Sequence, residues 1–233
     1  MKWRRYSRIA AIGLLITLGM AAQGMAATKT HVITFGKWSQ VQWLPETDSA
    51  NDAAITMKVR ALFVDGRVKE YVLGPPHDVT DRLFVVRRAF RVNDSLAEEA
   101  IPRWQWQRGG WLLVDRATGR VSAINLPEFD ALYSTANWYR DYVAYCGVSD
   151  DGKKTYALVV QLARRKPVMK KLLSNEGVLE GAGPDAACSV PVWQRSPARV
   201  SFEAAGVARQ TFAVRGHVVD LVDDAEEDQE AAK

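Results

Sequence analysis

A strict alternation of apolar and polar residues constrains the fold of this chain more than any other feature. In residues 55–63, ITMKVRALF, the odd positions are apolar and the even positions mostly polar. A β-strand points successive side chains to opposite faces, so this pattern gives a strand one apolar face, whereas a helix would scatter the same residues. Similar alternation occurs at 200–203, at 212–215 and, more loosely, at 84–92. The pattern predicts an all-β protein.

Short glycine-containing segments separate these runs. They lie at 64–67, 117–120, 150–153 and 204–207, and each carries a glycine that can take a positive φ at little steric cost. Together with the alternation they predict antiparallel sheets of about ten or eleven strands, joined largely by hairpins. The nearest helical candidates are short, at 95–100 and 127–132, and a further turn is expected around His77.

The stretch Ser149–Lys154 places two carboxylates and a hydroxyl beside two lysines. Residues 142–148 and 156–162 are predicted to be strands, and Asp151-Gly152 supplies the turn between them. The side-chain oxygens of Ser149 or Asp150 can accept hydrogen bonds from backbone N–H groups in such a turn. A metal-binding loop would need further oxygen ligands at alternating positions, where lysines follow instead. The sequence therefore predicts a structural turn here.

Two of these segments resemble a known architecture. Residues 149–157 resemble the serine-proline-aspartate-glycine-lysine hairpin of bacterial β-propeller blades of the TolB-like kind, and residues 111–121 are similar to the paired strands and glycine turn of many blades. Asp150 stands where that hairpin has proline, and the chain has no clean fixed-period repeat. A closed propeller takes about four or more blades of four strands, more than the strands predicted here. The resemblance implies blade-like sheets or a sandwich, not a complete propeller, and it transfers no catalytic residue.

The first residues predict export. Four basic residues precede an apolar run at 9–18, and small residues at 24–26 suit a signal peptidase. We expect a signal peptide over 1–27, an all-β domain over 28–222 and a separate acidic end over 223–233. The apolar run is shorter than the roughly 20 residues of a membrane-spanning helix, so no transmembrane anchor is expected after cleavage. The predicted location is periplasmic or secreted.

Charge is distributed unevenly along the chain. The formal net charge is +4, and the four basic residues of the leader account for it, so a cleaved chain would be neutral. Nucleic-acid binding is not expected, because it needs a basic footprint on the mature domain. Residues 223–233 hold six carboxylates and Lys233, a composition typical of a disordered tail. The alternative is that this tail lies on the basic residues of 164–171, in a contact that salt would weaken.

The chain has two cysteines, Cys146 and Cys188. An exported protein with an even number of cysteines normally pairs them, so we expect a disulfide. It would tie the glycine-rich segment 174–187 to the strand that contains Cys146. The alternative is two buried free thiols, since cysteine also packs as a small hydrophobic residue.

The most promising ligand-binding residues precede the strand predicted at 142–148. Aromatic rings there would supply contact area and the charged groups orientation, as in many ligand clefts; the alternative is a loop that plugs the core. The predicted ligand-binding residues are Trp138, Tyr139, Arg140 and Asp141.

A second aromatic pair, Trp104 and Trp106, is expected on one face of a strand. It would either pack under a sheet or form an exposed platform for a sugar or peptide. Packing is the more common use of such large rings.

Recognisable catalytic motifs are absent from the sequence. The three histidines lie far apart, and the chain has no HExxH, GxSxG, glycine-rich phosphate loop or CxxC pattern. No catalytic residue, metal or cofactor is therefore predicted. A carboxylate pair assembled from distant strands stays open, with Asp130, Asp141 and Asp220 as candidates.

Two functional hypotheses follow from these features. The preferred hypothesis is an exported non-enzymatic binding or structural domain of the cell envelope, whose partner is an envelope protein or a glycan. The alternative is an extracytoplasmic hydrolase of carbohydrate or peptide that uses a carboxylate pair. The sequence does not predict an oligomeric state.

Truncation tests the expected acidic tail. We expect a mature chain that ends at Val222 to keep the thermal midpoint of the full mature chain, because six carboxylates in eleven residues repel one another and offer no apolar stripe to dock. The midpoints of both chains should be compared in low and high salt. A large loss of stability in both would contradict a solvated tail, and a loss only in low salt would support docking on residues 164–171.

Overall fold

The structure is a computed structural model that describes residues 31–43, 55–96, 98, 100–178, 183–216 and 218–221. The predicted signal peptide and the acidic tail lie outside the described residues. All regular secondary structure in the described part of the chain is β-strand, in fifteen strands, so the predicted all-β class is confirmed. The described residues contain no helix with the length and apolar character needed to cross a bilayer.

The first sheet has seven strands: β1 (Ile33–Phe35), β2 (Ser39–Trp43), β3 (Ile55–Val64), β4 (Arg67–Asp78), β5 (Leu83–Asn93), β6 (Trp104–Asp115) and β7 (Val121–Ile124). Their order is β1-β3-β2-β6-β5-β4, with β7 paired to β6 and a further pairing between β3 and β4. All pairings in this sheet are antiparallel except that of β2 with β6, which is parallel and consists of one residue pair, Trp43 opposite Trp106.

Two further sheets have four strands each, and each strand pairs with its neighbour in the chain. The second sheet contains β8 (Ala136–Tyr139), β9 (Tyr142–Val148), β10 (Thr155–Gln161) and β11 (Met169–Ser174). The third contains β12 (Val192–Arg195), β13 (Ala198–Phe202), β14 (Gln210–Arg215) and β15 (Val218–Leu221). Strands β4 to β7 form the same kind of antiparallel series within the first sheet. The described chain thus has three blade-like series, fewer than a complete propeller needs.

The second sheet lies between the other two. One of its faces packs against the first sheet through Val143, Tyr145, Leu158 and Val160, which share a core cluster with Val85 of β5 and with Trp111 and Leu113 of β6. The other face packs against the third sheet through Ala144, Cys146, Ala157 and Val159, which meet Val200, Phe202, Phe212 and Val214. Burial on both faces explains why β9 and β10 are nearly continuous apolar runs.

The hairpin between β9 and β10 is formed as predicted. The two strands are antiparallel, with Val148 opposite Thr155. Ser149 Oγ donates to Asp151 Oδ1 at 2.6 Å, and Ser149 Oγ accepts from the N–H of Lys154 at 3.0 Å. Gly152 takes a φ of 71°. The Ser149 hydroxyl, as expected, and the Asp151 carboxylate therefore close the turn.

The expected disulfide between Cys146 and Cys188 is present, with Cα atoms 5.9 Å apart. Both residues belong to the core between the second and third sheets. Beside the bond, the N–H of Ala187 donates to Tyr133 O at 3.0 Å. Earlier in the same segment, the N–H of Val178 donates to Gly152 O, in the turn between β9 and β10, at 3.2 Å. The segment between β11 and β12 is thus tied to the β9–β10 hairpin, as the sequence predicted.

The structure differs from the expectations in three details. It has more strands than ten or eleven, because several, such as β1 and β8, are only three or four residues long, too short for alternation to identify them. His77 lies in β4 and not in a turn; a register shift between Leu73 and His77 accommodates the prolines before it, which cannot donate to a neighbouring strand. The described residues of both helical candidates form turns, bends or irregular segments.

Replacing both cysteines by alanine is expected to destabilise the mature protein strongly. The bond closes a separation of 42 positions, and loop-closure entropy for such a length gives a loss of up to about 4 kcal/mol. The free energy of unfolding from denaturant titration measures the loss. The oxidised wild-type protein and the same protein with reduced, alkylated cysteines are the controls. An unchanged midpoint in the double variant would contradict the stabilising role.

Candidate functional site

The four predicted ligand-binding residues lie at the hairpin between β8 and β9. Tyr139 pairs with Tyr142, so Arg140 and Asp141 form its two-residue turn. Arg140 takes a φ of 53°, and its carbonyl accepts a hydrogen bond from His77 Nε2 at 2.9 Å. The turn is thereby fastened to β4 of the first sheet.

Trp138 is buried between the first and second sheets. Its ring centroid lies 5.4 Å from that of Trp111 and 6.1 Å from that of His77. Its indole N–H is buried and has no acceptor among the described residues. Trp138 thus fills space in the core, which matches the alternative interpretation of this stretch as a plug of the core.

The other three residues point elsewhere. Tyr139 packs against Trp193 of the third sheet, with ring centroids 5.4 Å apart, and Asp141 Oδ2 accepts a hydrogen bond from Gln161 at 2.8 Å. Because Trp138 and Tyr139 are neighbours in a strand, they face opposite sides of the sheet. The structure does not gather the four side chains around one cleft, and their ligand-binding role stays a prediction.

A cleft of about 460 Å³ opens elsewhere, between the first sheet and the loop that precedes β8. Its volume falls within the roughly 300–1,000 Å³ typical of small-molecule sites. Both apolar and polar side chains reach it. The lining residues are Trp43, Phe90, Val92, Gln107, Arg108, Asp130, Ala131, Leu132 and Tyr133; we call this the β5–β6 cleft.

Arg108 is fixed on one wall of the β5–β6 cleft by an ion pair. Its two terminal nitrogens donate to the carboxylate oxygens of Asp185 at 3.1 and 2.6 Å, and its guanidinium lies 4.8 Å from the Trp43 ring centroid. Thr135 Oγ1 also donates to Asp185, at 2.6 Å. Burial would raise the pKa of Asp185, but the hydrogen bonds from Arg108 and Thr135 outweigh it and hold that pKa below its usual value.

Arg87 supports the opposite wall from inside the protein. Its Nη2 donates to Ala131 O at 2.8 Å and its Nε to Gly109 O at 3.3 Å. Burial, together with the nearby charge of Arg108, lowers the pKa of Arg87 to about 9, so the group stays charged at neutral pH. Asp130 Oδ1 accepts the N–H groups of Leu132 and Tyr133 at 2.7 and 2.8 Å. The loop wall is therefore held in a defined conformation.

The other face of the β5–β6 hairpin carries an exposed aromatic group. Trp104 is 57% exposed, and the Arg91 guanidinium lies 5.6 Å from the Trp104 ring centroid and 5.5 Å from that of Trp106. Tyr71 meets Trp106 edge-on at 5.1 Å. The two tryptophans share one face as predicted, but Trp104 follows the platform alternative and is not packed in a core. We call Tyr71, Arg91, Trp104 and Trp106 the aromatic–arginine face.

Two of the carboxylates considered for catalysis, Asp130 and Asp141, are not brought together. Ser134 joins the backbone N–H of Asp130 to Cys146 O through its hydroxyl, which places Asp130 beside Cys146. Asp141 precedes the start of β9, five residues before Cys146, or about 16 Å along an extended strand. A hydrolytic carboxylate pair is separated by about 5–10 Å. The side chain of Asp220 lies outside the described residues.

No metal cluster is evident in the described part of the chain: no group of three or more His, Cys, Asp or Glu side chains is placed to hold an ion. Comparisons with protein-family models, with curated proteins and with solved structures gave no match to this chain. Functional inference therefore depends on the geometry of the described residues.

Sequence reasoning missed the β5–β6 cleft, because its walls come from separate stretches at 43, 90–92, 107–108 and 130–133. One signal could have indicated it. Arg87 interrupts the apolar run of β5, and a buried arginine in mid-strand needs acceptors from another part of the fold. Those acceptors are supplied beside the cleft.

The Asp185–Arg108 pair predicts an acid-dependent stability. A carboxylate with a lowered pKa stabilises the fold above its unfolded pKa of about 4, and this contribution is lost as pH falls through the folded pKa. We expect Asp185→Asn to cost about 1 kcal/mol at pH 7, since the carboxylate is partly exposed, and progressively less below pH 4. Urea titrations across pH measure this. Asp150→Asn, in the exposed β9–β10 turn, is the control, and an equal loss at pH 3 and pH 7 would contradict the assignment.

Proposed function

We propose that this chain is an exported, non-enzymatic binding domain of the cell envelope that holds a protein or glycan partner on the aromatic–arginine face. The observation that carries the proposal is the exposure of Trp104 beside Arg91. Tryptophan, tyrosine and arginine are the residues that most often dominate binding energy at interfaces. A face that combines all three suits recognition of a partner.

The loop between β5 and β6, which leads into Trp104, also carries exposed apolar side chains. Leu96 and Ile101 are 68% and 78% exposed. The base of the loop is nonetheless ordered, because the N–H of Asp94 donates to Arg103 O at 2.8 Å and Gln105 donates to the Asp94 carboxylate at 2.6 Å. A hairpin with a fixed base and exposed apolar side chains can bind with little ordering cost.

Export is part of the proposal. The disulfide between Cys146 and Cys188 supports it, because such bonds persist in oxidising compartments and are rare in the cytosol. The leader expected over 1–27 agrees with it. A periplasmic or secreted location also brings the domain to envelope proteins and glycans.

The hydrolase alternative has less support from the cleft. A general acid in a glycosidase-like pair needs a raised pKa, whereas the pKa of Asp185 is lowered by its hydrogen bonds despite burial. Both oxygens of this carboxylate are already bonded to Arg108. Asp185 is thus suited to holding Arg108 in place, not to proton transfer.

Capture of envelope components tests the proposed face. Tagged mature protein is cross-linked to an envelope fraction from its own cells, in parallel with Trp104→Ala and the control Trp38→Ala. Trp38 is also exposed, at 45%, and lies against Arg60 at 4.3 Å, but on another part of the first sheet. We expect wild type and Trp38→Ala to retain the same component and Trp104→Ala to retain at least about tenfold less, the effect of removing a central aromatic residue.

Protease or glycosidase treatment of the envelope fraction then separates a protein partner from a glycan. Equal retention of the same components by wild type and Trp104→Ala would contradict the proposal. Retention by none of the three proteins would contradict it as well.

A further inference from the structure

The β5–β6 cleft carries an inference that goes beyond the proposed function. We propose that it is a binding site for a neutral saccharide unit. The cleft is lined by Phe90 and Gln107, which pair across β5 and β6, whereas Arg91 and Trp106 pair on the opposite face of the same hairpin. None of the four residues of the aromatic–arginine face lines the cleft, so the proposed saccharide site uses different side chains, although Trp43 of the cleft pairs with Trp106 in the sheet.

The charges around the cleft are balanced. Arg108 is paired with Asp185, and buried Arg87 interacts electrostatically with both Asp130 and Asp185. Two cations thus face two carboxylates. An anionic ligand would approach the carboxylates of Asp130 and Asp185, and a cationic ligand would approach two guanidinium groups. The electrostatic balance favours a neutral ligand.

The polar groups of the cleft both donate and accept. Arg108 has five N–H donors, of which two are used by Asp185. Asp130 accepts two backbone N–H groups through Oδ1, and its Oδ2 accepts no hydrogen bond among the described residues. Tyr133 adds a phenolic hydroxyl. A purely apolar ligand would desolvate these groups without replacing their hydrogen bonds. The hydroxyls of a saccharide can both donate hydrogen bonds to these groups and accept hydrogen bonds from them.

The apolar part of the lining suits the other side of a sugar ring. Phe90 and Tyr133 are partly exposed and present aromatic surface in the cleft, against which the C–H face of a pyranose can pack while its hydroxyls reach the polar groups. Trp43 is only 3% exposed and supports the cleft from below. Trp43 is held by a hydrogen bond from its Nε1 to Gln107 Oε1 at 3.1 Å and by the guanidinium of Arg108. The site is preorganised, so little side-chain ordering opposes binding.

Titration calorimetry of the mature protein tests the inference with defined probes. The neutral probes are maltose, cellobiose and N,N′-diacetylchitobiose, and the charged comparisons are glucose 6-phosphate and glucosamine. We expect at least one neutral disaccharide to bind with a dissociation constant of about 1 mM or tighter, and at least about tenfold more tightly than either charged sugar.

Two conservative variants locate the binding. Asp130→Asn keeps an oxygen for the backbone N–H groups of the loop and removes the charge, and Tyr133→Phe removes one hydroxyl. Each is expected to weaken disaccharide binding about fivefold to tenfold, the usual effect of losing one hydrogen bond to a ligand. Trp104→Ala, which changes no residue that lines the cleft, should leave the affinity unchanged. Thermal midpoints check that each variant is folded. If Asp130→Asn does not fold, Tyr133→Phe still tests whether the sugar binds in the cleft.

Several results would overturn the inference. These are no heat of binding for any neutral disaccharide at about 10 mM, tighter binding of a charged sugar, or disaccharide binding that survives both cleft variants. Loss of disaccharide binding in Trp104→Ala with retention in both cleft variants would place the sugar on the aromatic–arginine face. Because envelope capture depends on Trp104 and the sugar titration on Asp130 and Tyr133, the two proposals fail independently.

Discussion

Burial of β9 and β10 on both faces is the interaction on which the rest of the structure depends. Val143, Tyr145, Leu158 and Val159 are fully buried, and each such side chain contributes about 1.5–3 kcal/mol relative to exposure. Because the two faces meet different sheets, the same two strands fix the first sheet on one side and the third on the other. The disulfide from Cys146 then secures the segment that leads to β12.

The loop that forms one wall of the β5–β6 cleft depends on the same strands. Tyr145 donates its hydroxyl to Pro127 O at 2.7 Å, and Ser134 donates to Cys146 O at 2.7 Å. Burial raises the pKa of Tyr145, so the phenol keeps the proton that it donates. Both ends of the loop are thus fixed to β9, while Arg87 holds its middle from the first sheet. The cleft therefore depends on hydrogen bonds that hold this loop to both the first and the second sheet.

The fold was largely predictable, since its causes are local. Alternation in 55–63 and the Asp151-Gly152 turn each depend on neighbouring residues, and two cysteines allow one pairing. The site was less predictable. Trp138 and Arg140 look alike as candidates in sequence, but the stacking of the first and second sheets buries one and leaves the other in a turn. Likewise, Trp104 is exposed because the hairpin extends beyond its neighbours, which no local pattern specifies.

The single parallel pairing between β2 and β6 makes the first sheet uneven in mechanical strength. Strands β4, β5 and β6 are joined by long antiparallel ladders, but β2 meets β6 only at Trp43 and Trp106. This junction is a seam at which β2 can separate from β6 with the loss of few backbone hydrogen bonds, while β3 stays joined to β4 by its own antiparallel ladder. Trp43 closes the seam and lines the β5–β6 cleft together with Gln107 and Arg108 of β6, so a ligand bound in the cleft would contact both strands of this junction.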